Sequence, residues 1–106
     1  MISKDELEAY RKGGQIISEL RKTIPPLVRE GVLVRELCEQ VEAEIVALGG
    51  QPAFPCNVGI NEVAAHYTSP WNDLSVLPKD CVVKVDFGVH IDGYINDSAV
   101  TVSLSP

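Results

Sequence analysis

Two aspartates near the C-terminal end of the chain, Asp86 and Asp97, are the residues best suited to bind a metal ion. Each lies in a run of alternating apolar and polar residues that is typical of a β-strand, and Asp92-Gly93 between the runs is a strong signal for a two-residue hairpin turn. Pairing outward from that turn sets Gly88 opposite Asp97 and Asp86 opposite Ala99. The two carboxylates are therefore predicted to lie diagonally on one face of the hairpin, roughly 7 Å apart at the backbone.

Two carboxylates held this closely repel each other unless a cation lies between them. Oxygen ligands suit a hard or borderline divalent ion, and a bridging carboxylate suits two ions about 3.5–4 Å apart. Gly88 and Ala99 would leave room for such ions. By spacing alone, the commoner interpretation is a solvated polar strand face in which the pair has no function, although aspartate is depleted in strands.

The remaining reactive side chains are two histidines and three cysteines. His66 ends a loosely amphipathic stretch and His90 lies beside the hairpin turn, and a single histidine is more often a surface group than a catalytic one. The residues alone therefore assign neither histidine a role. The cysteines are widely spaced, odd in number and free of a C-x-x-C pair, so they are predicted to be reduced, buried thiols. They are Cys38, Cys56 and Cys81.

The N-terminal half of the chain is predicted to supply two helices. Ser3 and Glu6 form a capping-box pattern, and apolar residues at helical spacing indicate a first helix from about Lys4 to Thr23. Pro25-Pro26 should end that helix and force Ile24 out of the α region. A second helix is predicted between two glycine positions, with no good N-cap. Its apolar stripe consists of Val34, Leu37, Cys38, Val41, Ile45 and Leu48.

Strands and loops are predicted for the rest of the chain. Phe54 to Ile60 has the character of a short extended segment, and His66 to Lys79 has the composition of a loop. In the hairpin, alternation gives one apolar face to bury against the helices and one polar face that carries the aspartates. The prediction is an α+β fold in which two helices pack on a small antiparallel sheet.

Composition limits the classes of partner. A chain of 106 residues with 45% apolar and 23% charged residues is typical of one globular domain, and we expect no internal domain boundary in 1–106. A formal charge of −6 argues against nucleic acid or an anionic membrane as a partner. Because the sequence lacks an apolar run of membrane-spanning length and a signal-peptide segment, a cytoplasmic location is predicted.

The hairpin sequence from Asp86 to Asp97, continuing Ser-Ala-Val-Thr-Val, resembles the metal-binding hairpin of methionine aminopeptidases. Phe54-Pro55 and the run Ala64-Ala-His66-Tyr-Thr68 resemble the type 2, archaeal-like branch of that family. The eleven positions from Asp86 to Asp97 and the twenty from His66 to Asp86 match the family's spacing. The resemblance covers essentially the whole chain and favours the metal-binding interpretation.

The resemblance implies a role for four residues. Asp86 and Asp97 would be metal ligands, with Asp97 bridging two divalent ions, which could be Co, Mn, Fe or Zn. His66 would be catalytic and contact the substrate backbone near the scissile amide, and Phe54 would line the pocket for the methionine side chain. The implied activity is removal of the initiator methionine from nascent polypeptides. The implied fold is the N-terminal half of the pita-bread (creatinase/aminopeptidase) fold.

Two departures from the family pattern bear on these expectations. The family usually reads His-Tyr-Thr-Pro, whereas Ser69 here precedes Pro70, which alters the local loop. The family's other ligands, one His and two Glu, belong to a C-terminal half that the chain lacks, so we expect the 106-residue chain alone to be inactive and to self-associate. A catalytically silent pita-bread binding module and a proline dipeptidase of the same fold are the alternatives. Retention of both aspartates speaks against the silent module, and the Ala-Ala-His-Tyr-Thr run favours the methionine enzyme.

Overall fold

The computed structural model describes residues 3–60 and 75–104. Within these ranges two helices cover one face of a four-stranded antiparallel sheet, which confirms the predicted α+β arrangement. None of the helices in these ranges is long and apolar enough to cross a membrane. The elements are α1 (Lys4–Thr23), a 3₁₀ turn (Pro25–Leu27), α2 (Val34–Ala47), β1 (Gln51–Pro52), β2 (Asn57–Ile60), β3 (Val82–Ile91) and β4 (Tyr94–Ser103).

Helix α1 has the predicted bounds. The Glu6 backbone N–H donates to Ser3 Oγ at 3.1 Å, which caps the first turn. The expectation that Pro25 forces Ile24 out of the α region is wrong, because Ile24 has φ −70° and ψ −47°. Its N–H donates to the Leu20 carbonyl at 2.9 Å and its side chain is fully buried, and these interactions offset the steric preference.

Helix α2 begins without a side-chain cap, as its sequence predicted. The Val34 N–H instead donates to the Ser75 carbonyl at 2.9 Å, and Leu33 forms an isolated bridge with Val76. A segment more than 40 residues away in sequence therefore accepts the hydrogen bond of a backbone N–H group at the start of the helix. The chain leaves the helix through Gly49, whose φ of +101° favours glycine.

Strand β3 is the centre of the sheet. Strand β4 pairs along one edge of β3, and β1 and β2 pair with successive parts of the other edge. The helices pack on the predicted apolar face of β3, where four side chains are fully buried. These are Val83, Val85, Phe87 and Val89. The opposite face of the hairpin carries the two aspartates.

Candidate metal centre

The structure confirms the predicted hairpin register. Asp92 and Gly93 have φ of +52° and +87°, as a two-residue turn with both central residues left-handed requires. Gly88 pairs with Asp97 and Asp86 pairs with Ala99. Since a slip of one residue would turn every side chain to the other face, this register decides that both carboxylates lie on the face opposite the core.

The two aspartates differ in their surroundings. Asp86 lies on the central strand with its side chain 25% exposed, whereas Asp97 lies on β4 and is exposed. Asp86 has Ala99 across one strand and Asn57 across the other. Ala99, opposite Asp86 on β4, has only a methyl side chain.

Lys84 places a positive charge beside Asp86. Its Nζ lies 3.8 Å from Asp86 Oδ1, and its side chain is 49% exposed. An ion pair this open to water contributes little stability, about 0.2–1 kcal/mol in comparable cases. Lys84 therefore offsets part of the charge on Asp86 without closing the site to a cation.

Phe54 reaches the same face through an interruption between β1 and β2. Both strands pair with β3, and the four residues 53–56 between them lie opposite only Phe87 and Gly88, so that they form a bulge. The Ala53 N–H donates to the Gly88 carbonyl at 2.9 Å. A Cβ on Gly88 would lie 2.9 Å from Phe54 Cδ1 and closer still to Cε1, so the ring covers Gly88 directly. The half-buried Phe54 ring is thus held beside the position opposite Asp97.

Helix α2 holds this bulge in place. The Cys56 N–H donates to Glu42 Oε2 at 2.9 Å, and Cys38 Sγ donates to the Cys56 carbonyl at 3.5 Å. A hydrogen bond with Cys38 and burial, together with the charges of Glu42 and Asp86, raise the pKa of the Cys56 thiol far above its ordinary value. All three cysteines are buried and none of them forms a disulfide, as predicted.

The structure describes one of the two histidines, His90. His66 lies outside the described residues. His90 Nδ1 accepts a hydrogen bond from the Gly93 N–H at 3.3 Å, so this histidine stabilises the hairpin turn. That contact is a structural explanation for His90, to which the sequence assigned no function.

The residues present fit part of a divalent-metal site. Two carboxylates share one face of a rigid hairpin, and Ala99 opposite Asp86 is small. The expectation that Gly88 leaves room for an ion is wrong, because the Phe54 ring fills the space over it. Among residues 3–60 and 75–104 no group of three or more His, Cys, Asp or Glu side chains could hold an ion. A complete site therefore needs ligands in addition to Asp86 and Asp97.

Sequence reasoning missed the neighbours of the site that come from other elements. Asn57, Lys84 and the α1 contacts to β4 were not singled out. The alternation of Asn57-Val58-Gly59-Ile60 does carry a signal, because it puts Asn57 and Gly59 on the polar face. No local signal identifies which helix residues contact β4.

Comparison with known proteins agrees with this geometry. The pattern of metallopeptidase family M24 matches residues 8–106. A methionine aminopeptidase from Methanothermobacter thermautotrophicus is 49% identical over 96 residues, and one from Methanocaldococcus jannaschii is 50% identical over 103 residues. These matches cover 91% and 94% of the chain but only 32% and 35% of the relatives. The chain thus spans about a third of their length.

Solved structures have the same architecture. A prolidase from Thermococcus sibiricus superposes with a TM-score of 0.83 at 27% identity, covering 100% of this chain and 29% of the prolidase. A thermophilic Arx1 superposes with a TM-score of 0.82 at 21% identity, covering 100% of this chain and 32% of that protein, and it supports the fold alone. The fold is that of the pita-bread peptidases, and the matched family implies dependence on a divalent metal. The chain belongs to metallopeptidase family M24.

Proposed function

We propose that this chain is the N-terminal half of the catalytic domain of a methionine aminopeptidase, which removes the initiator methionine from nascent polypeptides in the cytoplasm. The observation that carries the proposal is the diagonal pair Asp86 and Asp97, set on one face by the hairpin register. The identity of about 50% to proteins named methionine aminopeptidase, over more than nine-tenths of the chain, supports this substrate class.

Asp86 and Asp97 would both hold divalent ions, which we propose to be two ions of the Co, Mn, Fe or Zn type. When bound there, the ions would supply Lewis-acid chemistry, namely activation of a water molecule and stabilisation of negative charge on the substrate carbonyl. Asp97 is exposed on this face, and the Phe54 ring fills the space over Gly88 opposite it, so the ions would lie on the open side of Asp97. The further His and Glu ligands of such a site would come from the second half of the fold.

Phe54 and His66 would bind the substrate. The Phe54 ring covers Gly88 on the same face as the carboxylates, so an apolar side chain bound against it would lie next to the metal ligands. We propose that this ring forms part of the methionine pocket. His66 would donate a hydrogen bond at the scissile amide that strengthens in the transition state.

The test uses the complete protein that carries this chain, loaded with Mn²⁺ or Co²⁺. It should hydrolyse a methionyl peptide such as Met-Ala-Ser and leave X-Pro dipeptides intact. Asp97→Asn should abolish turnover. Asp92→Asn is the matched control, since it makes the same chemical change in the same hairpin at an exposed turn position where Asn accepts a positive φ.

The outcomes separate the alternatives. Cleavage of X-Pro dipeptides instead of methionyl peptides would identify a proline dipeptidase. Metal-independent binding of other proteins with no hydrolysis of either substrate would identify a silent binding module. Equal losses in Asp97→Asn and Asp92→Asn would contradict the assignment of Asp97 as a ligand.

A further inference from the structure

Hydrogen bonds join helix α1 to strand β4 on both sides of Asp97. Asn96 and Ser98 flank Asp97, and strand alternation turns their side chains toward the helix while Asp97 faces away. Asn96 Nδ2 donates to the Tyr10 carbonyl at 3.2 Å. Arg21 Nη1 donates to Ser98 Oγ at 2.7 Å and to the Ala99 carbonyl at 2.8 Å. The residues immediately before and after Asp97 are thus tied to one rigid element.

A glycine in α1 makes the first of these contacts possible. Gly13 is buried, and a Cβ at this position would collide with the amide nitrogen of Asn96 and lie 3.4 Å from its Cγ. At the neighbouring Gly14 a Cβ would meet nothing within 4 Å. Glycine is unfavourable inside a helix, and the close approach of Asn96 explains why a glycine nevertheless occupies position 13.

Asp97 needs such support more than Asp86 does. Asp86 lies on β3, which pairs on both edges, whereas β4 pairs with β3 alone among the strands that the structure describes. On the helix-facing side of β4, Val100 packs in the apolar core, but Asn96 and Ser98 are polar where further apolar burial is expected. Directional hydrogen bonds fix the rotation of a strand about its axis more tightly than apolar contacts do, because apolar packing is non-directional.

We propose that Asn96, Ser98 and Arg21 are positioning residues that orient the Asp97 carboxylate for metal binding from the opposite face of the sheet. The proposal rests on the proposed function of Asp97 as a metal ligand. It adds that α1, which contributes no ligand, controls metal affinity through these contacts. Residues outside the ligand shell that orient a ligand typically change metal affinity about 10–100-fold when they are lost.

The test compares Gly13→Ala with Gly14→Ala in the complete protein. Both variants replace a glycine of the same helix by the best helix former, so intrinsic helix propensity favours both substitutions equally. Only Gly13→Ala displaces Asn96. Calorimetric titration with Mn²⁺ should show affinity about 10–100-fold weaker in Gly13→Ala and unchanged in Gly14→Ala. The visible absorption spectrum of the Co²⁺-loaded protein should change only in Gly13→Ala.

Two further variants separate positioning from general stability. Asn96→Ala removes the hydrogen bond to Tyr10 without adding bulk and should weaken Mn²⁺ binding in the same direction. Val102→Ala removes apolar packing from the same strand, five residues beyond Asp97, and should lower the unfolding temperature while affinity and Co²⁺ spectrum stay as in the wild type.

Wild-type affinity in both Gly13→Ala and Asn96→Ala would overturn the proposal and leave the proposed function intact. An equal loss of affinity in Val102→Ala would overturn it as well, since the effect would then follow stability. Failure of the wild type to bind any divalent ion would instead refute the metal site on which the proposal rests.

Discussion

Gly88→Ala should destabilise the chain because it places a methyl group in space that the Phe54 ring occupies. The new Cβ would lie 2.9 Å from Phe54 Cδ1 and 3.0 Å from Cζ, inside van der Waals contact. Overpacking of this kind costs about 1–3 kcal/mol. Replacing a glycine by alanine recovers about 0.4–1 kcal/mol from the unfolded state where the backbone permits it. At the middle of these ranges the net loss is about 1.3 kcal/mol, or roughly 5–10 °C in unfolding temperature for a domain near this size.

The assay is a double-mutant cycle measured by urea or thermal unfolding of the chain. Phe54→Ala removes the ring, so Gly88→Ala should cost much less in that background, with a coupling of at least about 1 kcal/mol between the two positions. In the complete enzyme, displacement of the ring in Gly88→Ala should also raise KM for methionyl peptides. A Gly88→Ala variant as stable as the wild type, or two mutations whose effects simply add, would refute the placement of Phe54 over Gly88.

Four further predictions follow from single features of the chain. His66→Ala in the complete enzyme should keep its metal content, measured by elemental analysis, while kcat falls, and loss of the metals would make His66 a ligand instead. Lys84→Met should raise the affinity for a divalent ion about 2–5-fold at low salt, measured by calorimetric titration, because it removes a competing cation 3.8 Å from Asp86. An unchanged affinity would mean that solvent and salt fully screen the Lys84–Asp86 pair. The three buried cysteines should resist iodoacetamide at pH 8 in the folded chain and react after unfolding in urea, with mass spectrometry as the readout. All three side chains are inaccessible in the fold, and the pKa values of Cys56 and Cys81 are raised, which disfavours the reactive thiolate. The 106-residue chain alone should bind Mn²⁺ weakly and should self-associate, as measured by light scattering. Self-association is expected because β4 has one edge unpaired in the described structure and Ile95 is 55% exposed. Tight binding of two ions by a monomer would contradict this prediction.

The hairpin could be read from sequence because its determinants are local. The Asp92-Gly93 turn and the period-two alternation around it fix the register, and the register alone sets Gly88 opposite Asp97 and both aspartates on one face. The first helix was equally local, since its cap, apolar spacing and proline stop all lie within 25 residues. The family resemblance added roles that spacing could not supply, because two strand carboxylates are compatible with a solvated surface as well as with a metal.

Tertiary structure decided what surrounds the aspartates. The Phe54 ring covers Gly88 because β1 and β2 pair with one edge of β3 and leave a bulge between them, which no local pattern specifies. The start of α2 is satisfied by Ser75, and Ile24 stays helical before Pro25 because its burial outweighs a local steric preference. In the sequence, Asn96 and Ser98 interrupt an apolar strand face without evident reason. In the structure they form hydrogen bonds with α1, which explains why they are polar. Propensity and alternation act over a few residues, whereas these contacts join segments up to 86 positions apart, and their partners are fixed only when the helices pack on the sheet.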